Sequence, residues 1–184
     1  MRLVEYKKIQ KGGAMKILLT KDQRAVANAA SKEIHPKYAL KCVHIKKGII
    51  EASNGFLLIQ KKIGYDGEED FLLDAGEFKK LKDSKSMGGV SFSSEGDEIR
   101  AIGENTVILR KQSGVYPDSE AFIPKEEPVF KIALSRKLLK KLISTLDDDD
   151  APVRFYFYPK LEPVKISIPE ENTTAIIMPI NVEL

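Results

Sequence analysis

The residues best placed to do chemistry in this 184-residue chain are lysines. Between Ser135 and Leu146, the residues Leu138, Leu139, Leu142, Ile143 and Leu146 recur at the spacing of an apolar helix face. Lys137, Lys140, Lys141 and Ser144 fall on the opposite face, which carries no acid. Around residues 22–34 the stripe Lys21, Arg24, Asn28, Ser31 and Lys32 repeats the pattern, with Asp22 and Glu33 lying off it. Lys79 and Lys80 hold the equivalent place on a helix between them. For one helix, a solvated charged face is explanation enough. Recurrence on three helices, with no aromatic residues interleaved, suits sequence-independent, salt-sensitive contact with phosphates. It does not suit base readout or single-strand stacking. The formal net charge of +3 is too small to make that argument by itself.

Groups able to perform catalysis are missing. There is no phosphate loop, no dinucleotide-binding glycine pattern, no nucleophile elbow and no metal-spaced His/Cys set. His35 and His44 have no partner at a useful spacing and read as a helix-end residue and a strand residue. The acidic run Asp147–Asp150 follows a helix C-terminus, where negative charge is unfavourable, and reads as a solvated loop. The expectation is a protein without catalysis, cofactor or metal. A single cysteine, Cys42, excludes an internal disulfide and fits a reducing cytoplasm. No membrane span and no secretory leader is expected.

The elements that must carry these lysines come in repeats. Phe71–Leu109 and Ile132–Ile177 align at an offset of 61 residues, matching Leu73 with Leu134, Asp74 with Ser135 and Lys79-Lys80 with Lys140-Lys141. The offset grows to 63 at Val90/Val153 and to 65 at Ile99/Val164, as loop insertions would produce. Each copy reads as a short strand, an N-cap residue, a helix and three strands. Residues 15–63 share the order: a strand over Met15–Thr20, a helix over Asp22–Ile34 stopped by His35-Pro36, then strands over Leu40–Ile45, Ile49–Ala52 and Phe56–Ile63. Asn54-Gly55 between apolar runs is a hairpin signal. The fold class is therefore α+β, with three β-α-β-β-β repeats (15–63, 71–110 and 130–178), antiparallel sheets outside and helices on one face. Residues 1–14 read as an N-terminal extension, 15–124 as one domain ending in a connector over 113–124, and 125–184 as half a domain.

Three stretches make the chain resemble the bacterial DNA polymerase III beta subunit, the replicative sliding clamp. Ile49-Ile-Glu-Ala-Ser-Asn-Gly-Phe-Leu-Leu58 is similar to that family's middle-domain hairpin, L-x-A-T-D-G-H-R-L. Val115-Tyr-Pro-Asp-Ser-Glu-Ala-Phe-Ile-Pro124 is similar to the connector F-P-D-Y-x-x-V-L-P, and Thr174-Ala-Ile-Ile-Met-Pro-Ile180 to the carboxyl-terminal Y-V-V-M-P-M. The resemblance implies a DNA-clamp-like processivity or docking protein. Its DNA-contacting residues would be Lys21, Arg24, Lys32, Lys79, Lys80, Lys137, Lys140 and Lys141. It further implies one apolar cleft for client peptides of polymerases and other partners. By position that cleft holds Ser53, Gly55, Phe56, Leu57, Leu58, Pro117, Phe122, Ile176, Ile177, Met178, Pro179 and Ile180. Phe56-Leu57 replace the family's His-Arg, so the rim is more apolar and the client differs.

The resemblance covers residues 15–184 with three repeats, where a family clamp has three domains of two repeats each. An unpaired third repeat implies a homo-oligomer, a dimer through a two-fold or a tetrameric ring. A peptide-binding adaptor or decoy without ring or DNA is the alternative reading.

Overall fold

Alternating apolar residues and well-placed turn residues lay down the strands, and the way the strands pair is what the repeats alone do not show. The computed structural model describes residues 16–146, 151–159 and 162–180. The expected extension 1–14 and the Asp147–Asp150 loop lie outside these described residues. The chain divides into two compact regions, Met1–Ile123 and Pro124–Leu184.

In the N-terminal region the order is β1 (Lys16–Leu19), α1 (Lys21–Arg24), a 3-10 segment (Ala25–Ala29), β2 (Cys42–Lys46), β3 (Ile49–Ser53) and β4 (Leu58–Lys62). The second repeat supplies β5 (Phe71–Asp74), α2 (Ala75–Lys79), β6 (Val90–Glu95), β7 (Glu98–Ile102) and β8 (Thr106–Arg110). A short 3-10 turn, Ser119–Ala121, lies in the connector. Both helices begin at side-chain caps. The Thr20 hydroxyl accepts the Gln23 N–H at 3.2 Å while the Gln23 amide oxygen accepts the Thr20 N–H at 3.0 Å, and the Asp74 carboxylate accepts the Glu77 N–H at 2.9 Å.

The two repeats exchange their first strands. One antiparallel sheet has the order β4-β3-β2-β5 and the other β1-β6-β7-β8, so β5 of repeat two completes the sheet of repeat one and β1 of repeat one completes the sheet of repeat two. The registers are equivalent: Leu73 lies opposite Val43 and Phe71 opposite Ile45, while Leu19 lies opposite Val90 and Ile17 opposite Phe92. All eight of these side chains are buried in one cluster with Val26 and Phe78 from the helical segments and Leu81 just beyond α2. Exchange lets the repeats share a core that neither could close alone.

The expected helix over Asp22–Ile34 is shorter. α1 ends at Arg24, the 3-10 segment ends at Ala29, and Ala30 is extended. The Ser31 N–H turns away to the Leu40 carbonyl at 2.9 Å, and Ile34, the last residue of the expected helix, is exposed. A 3-10 turn of about three residues rotates side chains off the stripe that 3.6-residue spacing would give.

The C-terminal region contains α3 (Arg136–Ile143), β9 (Arg154–Tyr156), β10 (Val164–Ile168), a 3-10 turn (Pro169–Glu171) and β11 (Thr173–Ile177). α3 begins at its expected cap, with the Ser135 hydroxyl accepting the Leu138 N–H at 3.4 Å. The sheet has three strands in the order β11-β10-β9. The strand expected at Ile132–Leu134 does not form: its counterparts β1 and β5 each lie beside the second strand of the other repeat, and the described residues of this region hold no other repeat to receive it. Ile132 and Leu134 nonetheless pack against the small core of Val164, Ile166, Ile168 and Ile177.

Candidate functional site

Of the eight basic residues expected on one surface, seven are exposed: Lys21, Lys32, Lys79, Lys80, Lys137, Lys140 and Lys141. Arg24 is a correction. It is only 8% exposed, its Nη1 donates to the Leu81 carbonyl at 2.8 Å, and its Nη2 pairs with Asp83. The carbonyl it reaches lies just past the end of α2, where helical C=O groups lack intrahelical donors and a cation is favourable. Arg24 therefore ties repeat one to repeat two. The stripe expected around it is broken as well, since Ser31 and Lys32 lie in irregular chain beyond the 3-10 segment. α3 keeps its face intact: Lys137, Lys140 and Lys141 project from two successive turns, and none of the three has a salt-bridge partner among the described residues.

The apolar candidates fall into two groups, one in each region. In the N-terminal region, Ser53 and Leu58 face each other across β3 and β4, on the same side of the sheet as Glu51 and Gln60. The tight turn between them is built by side-chain bonds. The Ser53 hydroxyl accepts the Gly55 N–H at 3.0 Å, and the Asn54 side-chain oxygen accepts N–H groups of Phe56 and Leu57 at 3.0 and 2.8 Å. Gly55 has φ +94°, a conformation that a side chain would strain. Phe56 projects fully into solvent from the tip, and Leu57 is half exposed. Ser53 itself is buried, so it builds the turn and offers little surface. Pro117 is half-buried and Phe122 is exposed, both in the connector.

A buried polar cluster holds that connector to the sheet, and the sequence reading missed it. Glu51 is fully buried; its Oε1 lies 2.8 Å from His44 Nδ1 and 3.5 Å from Lys46 Nζ, and its Oε2 accepts from Gln60 Nε2 at 2.6 Å. Both Gln60 Nε2 and Lys46 Nζ also donate to the Ser119 hydroxyl, at 3.1 and 3.2 Å. The Tyr116 ring lies 4.7 Å from that of His44. Burial alone would raise the Glu51 carboxyl, but hydrogen bonds involving His44, Ser119 and Gln60, with the Lys46 charge, hold it down at about 2. The signal was present in the sequence: His44 and Glu51 stand opposite each other once the Lys46-Lys47-Gly48 turn sets the register.

In the C-terminal region Ile176, Met178 and Ile180 are exposed and Pro179 is half-buried. Ile177 is a correction, being buried in the core of its own region. Strand alternation separates it from its neighbours. A shallow groove runs between α3 and β11, lined by Leu138, Lys141, Leu142, Thr145, Ala175 and Ile176. Among the described residues no His/Cys/Asp/Glu group could hold a metal ion, and no helix is long and apolar enough to cross a membrane.

Solved structures of sliding clamps match this architecture. The DNA polymerase sliding clamp of Bacillus subtilis superposes with a TM-score of 0.65 at 18% identity, covering 96% of this chain and 51% of that one. A Helicobacter pylori beta clamp bound to a DNA ligase peptide gives 0.65 at 18% identity, over 98% of this chain and 54% of that chain. The DNA polymerase III subunit beta of Borrelia burgdorferi gives 0.60 at 18% identity, over 94% and 50%. The chain thus spans about half the length of the structures it matches. No family model and no curated protein matches it. Mixed α+β elements, antiparallel sheets and the superposition on solved clamps come together in one conclusion: this chain has the fold of the bacterial DNA sliding clamp.

Proposed function

We propose that this chain is a clamp-like docking protein that contacts duplex DNA without sequence preference, encircles it as a homo-oligomer and holds client peptides on apolar side chains. It has no catalytic role. The observation that carries the reading is the basic face of α3, an acid-free row of exposed lysines on a sliding-clamp fold. Ammonium groups without aromatic neighbours meet phosphates as point charges, which gives affinity and mobility along the duplex rather than base readout. Peptide docking falls to the exposed apolar residues of the hairpin, connector and tail, chiefly Phe56, Leu57, Phe122, Met178 and Ile180. A methionine among aliphatic groups adapts to varied sequences. The ligase peptide on the Helicobacter pylori clamp supports this part of the reading.

Retention on DNA tests it. An assembled form should remain on closed circular duplex at moderate salt and leave when the circle is cut. A strict monomer that is retained on neither form overturns the reading.

A second reading, the peptide-binding adaptor or decoy without DNA, is favoured by the burial of Arg24, which leaves Lys21 as the sole basic side chain exposed on α1. Under it, a clamp-binding peptide from a polymerase binds at low micromolar concentration, Met178→Asp abolishes binding, and duplex DNA is not bound at any salt. Absence of peptide binding rules this version out.

A further inference from the structure

The C-terminal region repeats every part of an exchanged pair except the partner. In the N-terminal region the first strand of repeat two bonds along both of its edges. β5 pairs with β2 on one side, and on the other the Leu72 carbonyl accepts the Gln112 N–H at 2.8 Å from the chain that follows β8. Repeat three reproduces the second of these bonds. The Ala133 carbonyl, which corresponds to that of Leu72, accepts the Ile180 N–H at 2.9 Å from the chain that follows β11. Backbone groups alternate sides along an extended chain, so those of Ile132 and Leu134 point the other way, and no backbone partner is found for them among the described residues. The donor is in place with one edge unused.

An acceptor is present too. In both complete sheets the first strand of one repeat lies beside the second strand of the other, as β5–β2 and β1–β6. The equivalent of β2 and β6 in repeat three is β9, which among the described residues pairs only with β10. Its exposure shows what is missing. Phe155 stands opposite Ile166 just as Phe92 stands opposite Ala101, and both point toward their cores. Phe92 is 0% exposed and Phe155 is 41% exposed. Phe157, Tyr156, Tyr158 and Phe130 are also exposed around this edge. An open edge flanked by aromatic residues is a template for another strand.

We infer that two copies of this chain complete each other's C-terminal regions by reciprocal strand exchange, the Ile132–Leu134 segment of each pairing antiparallel with β9 of the other. The registers of β1 with β6 and β5 with β2 fix this one: Leu134 lies opposite Val153 of the second copy, Ala133 opposite Arg154, and Ile132 opposite Phe155. A two-fold axis relates the copies, because each gives and receives the same strand. This deepens the self-association in the proposed function by naming the interface, and it is independent of DNA and peptide binding.

Cysteine pairing tests the register. Ala133→Cys with Arg154→Cys places thiols opposite each other on the face away from the core, at a Cα spacing that a disulfide spans. The full-length double variant should oxidise to a disulfide-linked dimer, while either single variant and the shifted pair Ala133→Cys with Tyr156→Cys should link at least tenfold more slowly. Phe155→Asp should reduce the solution mass to that of one chain with the N-terminal region still folded. A dimeric mass without preferential linkage at 133 and 154 overturns the exchange and leaves self-association standing; a monomeric wild type overturns both.

Discussion

Phe92 and Phe155 occupy the same position in two copies of one repeat, yet one is sealed in a core and the other is 41% exposed. The contrast extends to their neighbours. Ile17, Leu19, Phe71 and Leu73 are buried, while their counterparts Ile132 and Leu134 are half-buried. Phe78 on α2 is fully buried, and Leu139, at its place on α3, is half-buried. The amino acids at these positions are equally apolar. What differs is that repeats one and two are both present to exchange a strand, and repeat three stands without a partner in its region. Burial here is a property of the pair and not of the repeat.

Core truncation should break the symmetry most sharply. Phe92→Ala, which removes a ring stacked 5.5 Å from Phe78, should cost about 3–5 kcal/mol in urea unfolding of the N-terminal region. Phe155→Ala should cost about 1 kcal/mol or less in dilute protein and more as concentration rises, because only the paired form encloses the ring. Equal costs at every concentration would dissolve the comparison.

Acid should weaken the N-terminal region through Glu51. Glu51 has a folded value near 2 against an ordinary 4.5, so the stability it contributes is fully present above about pH 4.5 and is lost as pH falls toward 2. The loss should be on the order of 3 kcal/mol. Glu51→Gln should flatten that part of the pH profile, and a profile unchanged in the variant would mean that other carboxylates control the acid limb.

Smaller effects separate the cation that builds from the cations that face solvent. Arg24→Ala should destabilise the N-terminal region by about 2 kcal/mol, since it leaves the buried Leu81 carbonyl without its donor, and should leave the salt dependence of DNA binding unchanged. Lys140→Ala should do the reverse, shifting stability by less than about 0.5 kcal/mol and lowering the slope of log K against log salt by about 1. Fluorescence anisotropy on a labelled duplex at several salt concentrations reads both variants.

Much of this was legible in the sequence, for identifiable reasons. Local signals worked where local physics decides: the caps at Asp74 and Ser135, the Asn54-Gly55 turn and the alternation of β6, β7 and β10 all stand. Offsets between repeats even carried the equivalence of Phe92 and Phe155. Failures came where a residue's role depends on a distant element. Nothing near Arg24 reveals that Leu81 and Asp83 await it, and nothing near Ile132 reveals that its strand needs an edge from elsewhere. Ile177 was misassigned for a simpler reason, since a run of apolar residues does not say which side faces the core. The Glu51 cluster required the β2–β3 register before its two partners could be seen to meet.

Amide hydrogen exchange along β9 tests the central contrast most directly. The backbone N–H groups of Val153 and Phe155, together with those of Ile132 and Leu134, should become protected as protein concentration rises, approaching the protection of Val90 and Phe92 in the completed sheet. Rapid exchange of both segments at every concentration, with Val90 and Phe92 fully protected, would contradict it.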